Sequence, residues 1–208
     1  MKLYEFAPTR SIRARWTLQE LEVAFESVSI RLMEGGGQTP EYLALNPAGK
    51  VPTLVDGDFV LTESVAIAVY LAEKYPHKGL LPADLEQRAQ LNRWMLFAVT
   101  ELEQPLWRIA RHSFLYPEEQ RLPADIELAK GEFRNMAAVL EQHMQGREFL
   151  VGDRVSVGDF VTAYTLDWGN EVGLLDACPT LLAYMERMYD RPKAAMRIKD
   201  AFASVAAA

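Results

Sequence analysis

Four short stretches of the 208-residue chain carry residue types able to hold or activate a small polar molecule. Glu63-Ser64 opens a helical pattern that runs to about Tyr75. The first amides of a helix lack intrahelical partners and its macrodipole is positive there, so these amides and the Ser64 hydroxyl can hold a carboxylate. Glu63 beside them can meet an ammonium, so a ligand with both charges on one carbon suits the pair. Plain helix capping suits it as well. Upstream, Pro52 falls inside the strand-like run Val51 to Val55, where it can donate nothing to a ladder, and it therefore marks an edge, a bulge or a cis bond. Lys50 precedes it. Near the start, Thr9 and Ser11 offer hydroxyls where a first helix begins, with Arg10 and Arg13 able to raise the local potential or to form salt bridges. Farther on, Trp107 and Arg111 lie four apart and so share a helix face, although aromatics at that spacing are usually core.

Cys178 is the only cysteine. No intrachain disulfide or Cys-x-x-Cys pair is possible, and any thiol chemistry must draw its sulfur from another molecule. His77, His112 and His143 stand apart without metal-ligand spacing, and no metal is expected.

The elements that must position these residues change character along the chain. Lys2 to Phe6 reads as a strand, Ala14, Thr17, Leu18 and Leu21 as the stripe of an amphipathic helix from Ser11, and Phe25 to Leu32 as a second strand. A βαβ unit of about 30 residues suits a parallel crossover. After Gly35-Gly36-Gly37, Thr39 and Pro40 give an N-cap and a first helical position, and the short helix ends at Asn46-Pro47. Asp56-Gly57-Asp58 separates two strand signals as a hairpin turn. Beyond Pro76 to Asp84 the helical period dominates, with core stripes through Leu91, Trp94, Met95, Ala98 and Leu102 and through Ala129, Phe133, Met136, Ala137 and Leu140. Ser156 and Asp159 form a capping-box variant before Phe160, and a further helix starts at Thr180 and ends before Pro192. Expected boundaries are a first domain over 1–78, a linker over 79–85 and a helical domain over 86–208.

Acids outnumber bases by 29 to 22, giving a formal charge of -7 with no Lys/Arg block, which argues against a surface that tracks nucleic acid. The longest apolar-rich segment, Val65 to Ala72, is far too short to cross a bilayer. The N-terminus lacks the apolar stretch of a secretory leader, so a cytoplasmic protein is expected.

Leu45-Asn46-Pro47-Ala48-Gly49-Lys50-Val51-Pro52-Thr53-Leu54, Leu61-Thr62-Glu63-Ser64-Val65-Ala66-Ile67, and Phe149-Leu150-Val151-Gly152-Asp153 leading into Ser156 to Asp159 together resemble the cytosolic-type glutathione S-transferases, most nearly their bacterial members. The resemblance covers essentially the whole chain. It implies an α/β thioredoxin-like N-terminal domain followed by an all-α C-terminal domain, a homodimer, and glutathione as co-substrate. It further implies that Val51-Pro52 is cis and turns the Val51 backbone toward the cysteinyl unit, that Glu63 and Ser64 take the γ-glutamyl end, and that Lys50 reaches the glycine carboxylate. Gln38 stands where many relatives have a histidine and could serve only as a neutral donor.

Relatives lower the thiol pKa with a side chain near the start of the first helix. A fall of about two units corresponds to roughly 2.7 kcal/mol. Thr9 matches serine-type members and Ser11 matches other bacterial groups, including nu-like enzymes; both remain candidates for the thiolate donor. For the electrophile the candidates are Leu106, Trp107, Arg111 and Phe114, with Arg111 suited to an anionic group. The implied dimer would use the Tyr70/Lys74 side of one helix and Leu91 to Glu103, with Glu101, Glu103 or Gln104 approaching the partner's γ-glutamyl ammonium. The expected activity is attack of the activated thiol on a small hydrophobic electrophile. Its alternatives are reduction of a peroxide or disulfide by glutathione, and a non-catalytic interaction module of the same fold.

Overall fold

The computed structural model describes residues 1–206. The chain divides into two compact units, one made of Met1–Leu81 with the segment from Tyr189 onward, the other of Pro82–Met188.

In the first unit, β1 (Lys2–Glu5), α1 (Ser11–Leu21) and β2 (Glu26–Ser29) form the expected βαβ, with β1 and β2 parallel. The second strand is shorter than Phe25 to Leu32, because Leu32–Glu34 turns into a 3-10 segment. Thr39 caps α2 (Pro40–Leu45) by accepting from the Tyr42 amide, as the Thr-Pro pair predicts. β3 (Thr53–Asp56) and β4 (Phe59–Thr62) are antiparallel, and Gly57 takes a φ of 64° in the turn between them. The sheet order is β2-β1-β3-β4, so β3 is central. Pro52 is tolerated because it stands just ahead of the ladder rather than within it, and its bond to Val51 is cis. α3 (Ser64–Lys74) packs on α1, with Ile12, Trp16, Leu18, Ile67 and Leu71 buried between the helices and the sheet residues Leu3 and Leu54.

The expected helical domain over 86–208 gives up its end to this first unit. Trp16 packs against Tyr189 with ring centroids 4.7 Å apart, Arg191 grips Glu20 through two contacts of 2.7 Å, and Lys193 pairs with Glu22 at 3.2 Å. A shared ring contact and a bidentate ion pair are long-range matches that local periodicity does not reveal.

The second unit is helical: α4 (Leu85–Phe97), α5 (Glu103–Ala110), α6 (Pro123–Met144), α7 (Val157–Glu171) and α8 (Pro179–Tyr189). A last helix, α9 (Ile198–Ala206), belongs with the first unit. Between α4 and α5 the backbone makes a wide π-turn over Ala98–Leu102, in which the Glu103 amide donates five residues back to Ala98. A proline in a helix has no amide to donate and its ring crowds the preceding turn, so the widening lets the rod continue through the buried Pro105. Ser156 and Asp159 form the predicted capping box on α7. The fully buried Asp159 carboxyl also accepts from the Leu150 amide at 2.8 Å and the Tyr184 hydroxyl at 2.7 Å. Burial pushes this carboxyl above its ordinary range, while the four donors that converge on it pull the other way. Among the described residues no helix is long and apolar enough to cross a membrane.

Candidate functional site

The candidate site of the first unit is assembled from three loops. At the first, β4 hands over to α3 through Glu63, which sits at φ 72° and ψ 113°. A non-glycine residue there costs about 1–3 kcal/mol, and such strain persists where the surroundings demand it. Ser64 is the first helical residue and is buried, whereas Glu63 is exposed. Glu63, not Ser64, holds the N-cap position of α3 and its side chain makes no capping bond, so Ser64 is not the simple cap its position in sequence allows. Its hydroxyl instead faces the buried Arg13, whose Nη1 donates to Ser64 Oγ at 3.4 Å. The start of α3 therefore combines unfilled first-turn amides, a hydroxyl and a guanidinium, which is a seat for a carboxylate.

The second loop carries Lys50 and Val51. Its backbone is held by residues that sequence reasoning missed. The Lys50 carbonyl accepts from the Tyr42 hydroxyl at 2.5 Å and from Asn46 Nδ2 at 2.7 Å. The Tyr42 proton is thereby used, so the buried Thr53 hydroxyl donates to the Tyr42 oxygen at 3.0 Å, and Asn46 also reaches Thr53 at 3.4 Å. Asn46 Oδ1 accepts from the Ala48 amide at 3.1 Å, closing the turn. A signal was present in the Asn-Pro pair and in a threonine placed where a central strand wants an apolar residue. Gly49 has a φ of 65°, and a Cβ on it would fall 2.4 Å from Gln38 Nε2 and 2.7 Å from the Gly37 carbonyl. Glycine lets the two loops touch, bringing Gln38 beside the Lys50 turn. Lys50 and Gln38 are both exposed, and Val51 is half-buried just ahead of β3.

The third loop contains Thr9 and Ser11. Ser11 begins α1 but does not cap it; Arg10 holds the cap position without a side-chain bond. The two hydroxyl oxygens lie 2.9 Å apart. Thr9 donates to the Phe6 carbonyl and accepts from the Ser11 amide at 3.2 Å, while Ser11 Oγ accepts from the Phe6 amide at 3.3 Å. With the Thr9 proton committed to Phe6, the Ser11 hydroxyl is the donor between them. The two candidates thus form one hydrogen-bonded pair, with Ser11 buried and Thr9 half-buried. Arg13, two residues further along the same helix, donates to Ser64.

In the second unit the electrophile candidates separate. Leu106 is fully buried, which removes it from any open surface. Trp107 lies edge-on to Trp168 at 6.4 Å, Arg111 lies over the Tyr116 ring at 5.8 Å, and Phe114 is 61 % exposed. Glu103 is also buried, so it is not offered to a partner chain, whereas Glu101 and Gln104 border a cavity of about 310 Å³ with Glu132 and Met136. Tyr70 and Lys74 both bond the Asp56 carboxylate, Tyr70 at 2.7 Å. Burial pushes the Cys178 thiol above its ordinary range, which disfavours the reactive thiolate. His143 lies against Trp94 with centroids 4.1 Å apart, and its Nε2 is 2.8 Å from the Leu150 carbonyl. Among the described residues no three His, Cys, Asp or Glu side chains gather as metal ligands would.

Comparison with known proteins gives the same outline. Residues 1–73 match the glutathione S-transferase N-terminal domain and residues 104–192 its C-terminal domain. Glutathione S-transferase F10 of Arabidopsis thaliana is 40 % identical over 166 residues, covering 76 % of this chain and 77 % of that protein. The glutathione S-transferase of Xylella fastidiosa superposes with a TM-score of 0.83 at 27 % identity, covering 98 % of this chain and 97 % of that one. The theta-class enzyme of Xanthomonas axonopodis pv. citri, solved with glutathione bound, superposes with a TM-score of 0.81 at 29 % identity, covering 93 % and 94 %. The chain belongs to the glutathione S-transferase family.

Proposed function

We propose that the protein binds glutathione across the three loops of its first unit and activates the thiol for attack on a small electrophile. The observation that carries this reading is the buried Arg13, which leaves the helix bearing the Thr9–Ser11 hydroxyl pair and donates to Ser64 at the start of α3. One residue ties the place where a sulfur would be activated to the place where a carboxylate would be held. The γ-glutamyl carboxylate takes the α3 amides and the Ser64 hydroxyl, and its ammonium meets Glu63. The Val51 backbone pairs with the cysteinyl unit as an added strand would. Lys50, helped by Gln38, takes the glycine carboxylate.

When glutathione binds, the Ser11 hydroxyl turns its proton from Thr9 to the sulfur and favours the ionised form, while Thr9 stays bonded to the Phe6 carbonyl and the start of α1 adds its positive end. The thiolate then attacks the electrophile: a carbon–sulfur bond forms and the leaving group departs with the electron pair of the broken bond. Trp107, Arg111 and Phe114 are the proposed electrophile contacts. We place the second copy of a homodimer on the Tyr70/Lys74 side of α3 and on α4. Reduction of a peroxide or disulfide would use the same thiolate, with every sulfur supplied by glutathione because Cys178 is buried.

The test is calorimetry with reduced and oxidised glutathione, combined with turnover of a chloronitroaryl substrate. Binding of reduced glutathione with conjugate formation is the expected result. Binding without turnover of aryl halides, peroxides or disulfides would leave an interaction module instead.

A further inference from the structure

In the second unit three arginines gather around two ion-paired carboxylates and Tyr116. Asp125 is taken twice by Arg108, through Nε at 3.1 Å and Nη2 at 2.5 Å, and again by His112 at 3.4 Å; Glu132 is taken by Arg108. His112 has no reach beyond this, since its other nitrogen accepts from the Leu122 amide at 3.2 Å. Two further guanidinium groups converge on Tyr116. Arg111 donates to the Tyr116 hydroxyl at 3.3 Å and lies over its ring, and Arg121 donates to the Tyr116 carbonyl at 2.9 Å. Neither arginine forms an ion pair among the described residues, and Arg111 Nε is buried with no acceptor. All three side chains are half-buried. Because the Tyr116 oxygen accepts from Arg111, its own proton is left to donate outward. Half-desolvated cations in a chain of formal charge -7 would ordinarily draw a carboxylate from the protein. Asp125 acts on Arg111 only from beyond ion-pair distance, and a ligand carboxylate would complete the pairing.

We propose that Arg111, assisted by the Tyr116 hydroxyl and Arg121, binds the carboxylate of an anionic aromatic electrophile. Arg111 lies one helical turn from Trp107, whose ring stands edge-on to Trp168, so an aryl group and a carboxylate attached to it meet neighbouring side chains of matching character. This inference rests on the transferase reading, in which these residues face the electrophile. It adds the substrate class: aryl halides or related acceptors that carry an acidic group, in preference to their neutral counterparts.

The test compares two S-aryl glutathione conjugates, made from 4-chloro-3-nitrobenzoate and from its methyl ester, by calorimetry against the full-length protein. A charge-assisted contact predicts that the carboxylate conjugate binds about tenfold more tightly than the ester. In Arg111→Gln that preference falls to near unity, and in Arg111→Lys part of it returns. Circular dichroism confirms that each variant is folded. Equal affinity for the two conjugates in the unaltered protein, or a preference that survives Arg111→Gln, overturns the inference while leaving glutathione binding intact. If neither conjugate nor glutathione itself binds, the proposed function falls and this inference falls with it.

Discussion

Two helix starts in this molecule solve the same electrostatic problem in opposite ways. At α8 the amides of Thr180 and Leu181 donate to the two carboxylate oxygens of Glu141, each at 2.9 Å. At α3 the N-cap residue Glu63 makes no side-chain capping bond and is strained into positive φ, and the Arg13 guanidinium donates to the Ser64 hydroxyl beside it. The chain thus carries its own example of a carboxylate seated on helix amides, and in the proposed function the start of α3 offers the same kind of seat to a ligand. In the proposed function the same physics stabilises the fold in one place and would receive a ligand in the other.

This contrast can be broken at either end. Glu141→Ala leaves two amides of α8 without acceptors and should lower the unfolding free energy by about 2 kcal/mol in urea titrations, without altering glutathione affinity in the folded protein. Glu141→Gln should cost less, since it keeps an acceptor. Asn46→Ala releases the Lys50 carbonyl and loosens the loop that presents Val51; glutathione affinity measured calorimetrically should fall about tenfold, or about 1.4 kcal/mol. Ser64→Ala should weaken glutathione by about 1 kcal/mol with little loss of stability, the reverse of the Glu141 pattern. If Ser64→Ala reduces stability and spares affinity, α3 is an ordinary helix start.

A smaller effect concerns pH. The Asp125 carboxyl is held below its ordinary range, chiefly by Arg108. A depressed carboxyl contributes stability that is present above its unfolded pKa of about 3.9 and lost as pH falls through the lower folded value. The unfolding midpoint should therefore drop between pH 4 and lower values in the unaltered protein, and drop less in Asp125→Asn.

Much of this was legible in the sequence because it depends on local chemistry. Thr39-Pro40, Asp56-Gly57-Asp58 and the Ser156/Asp159 box each specify a turn or cap within a few residues, and each appears where expected. The helix start at Glu63-Ser64 was readable in the same way. What escaped depends on partners distant in the chain. Nothing near Tyr189 or Arg191 announces Trp16 and Glu20, so the return of the last segment to the first unit was invisible to periodicity. Leu106 looked like a substrate contact because helical spacing does not say which side of α5 is covered. Pro105 does not by itself announce the π-turn before it, through which the rod continues. Thr9 and Ser11 looked like alternatives because a two-residue separation does not reveal that their oxygens meet at 2.9 Å.

The central claim is that this hydroxyl pair stabilises the glutathione thiolate, and ultraviolet titration of bound glutathione tests it most directly. The bound thiol should ionise about two units below the ordinary value of 8.5 in the unaltered protein and return toward 8.5 in the Thr9→Val/Ser11→Ala double variant, with glutathione still bound. A bound thiol that titrates near 8.5 in the unaltered protein, or one left unchanged by the double substitution, would contradict the account.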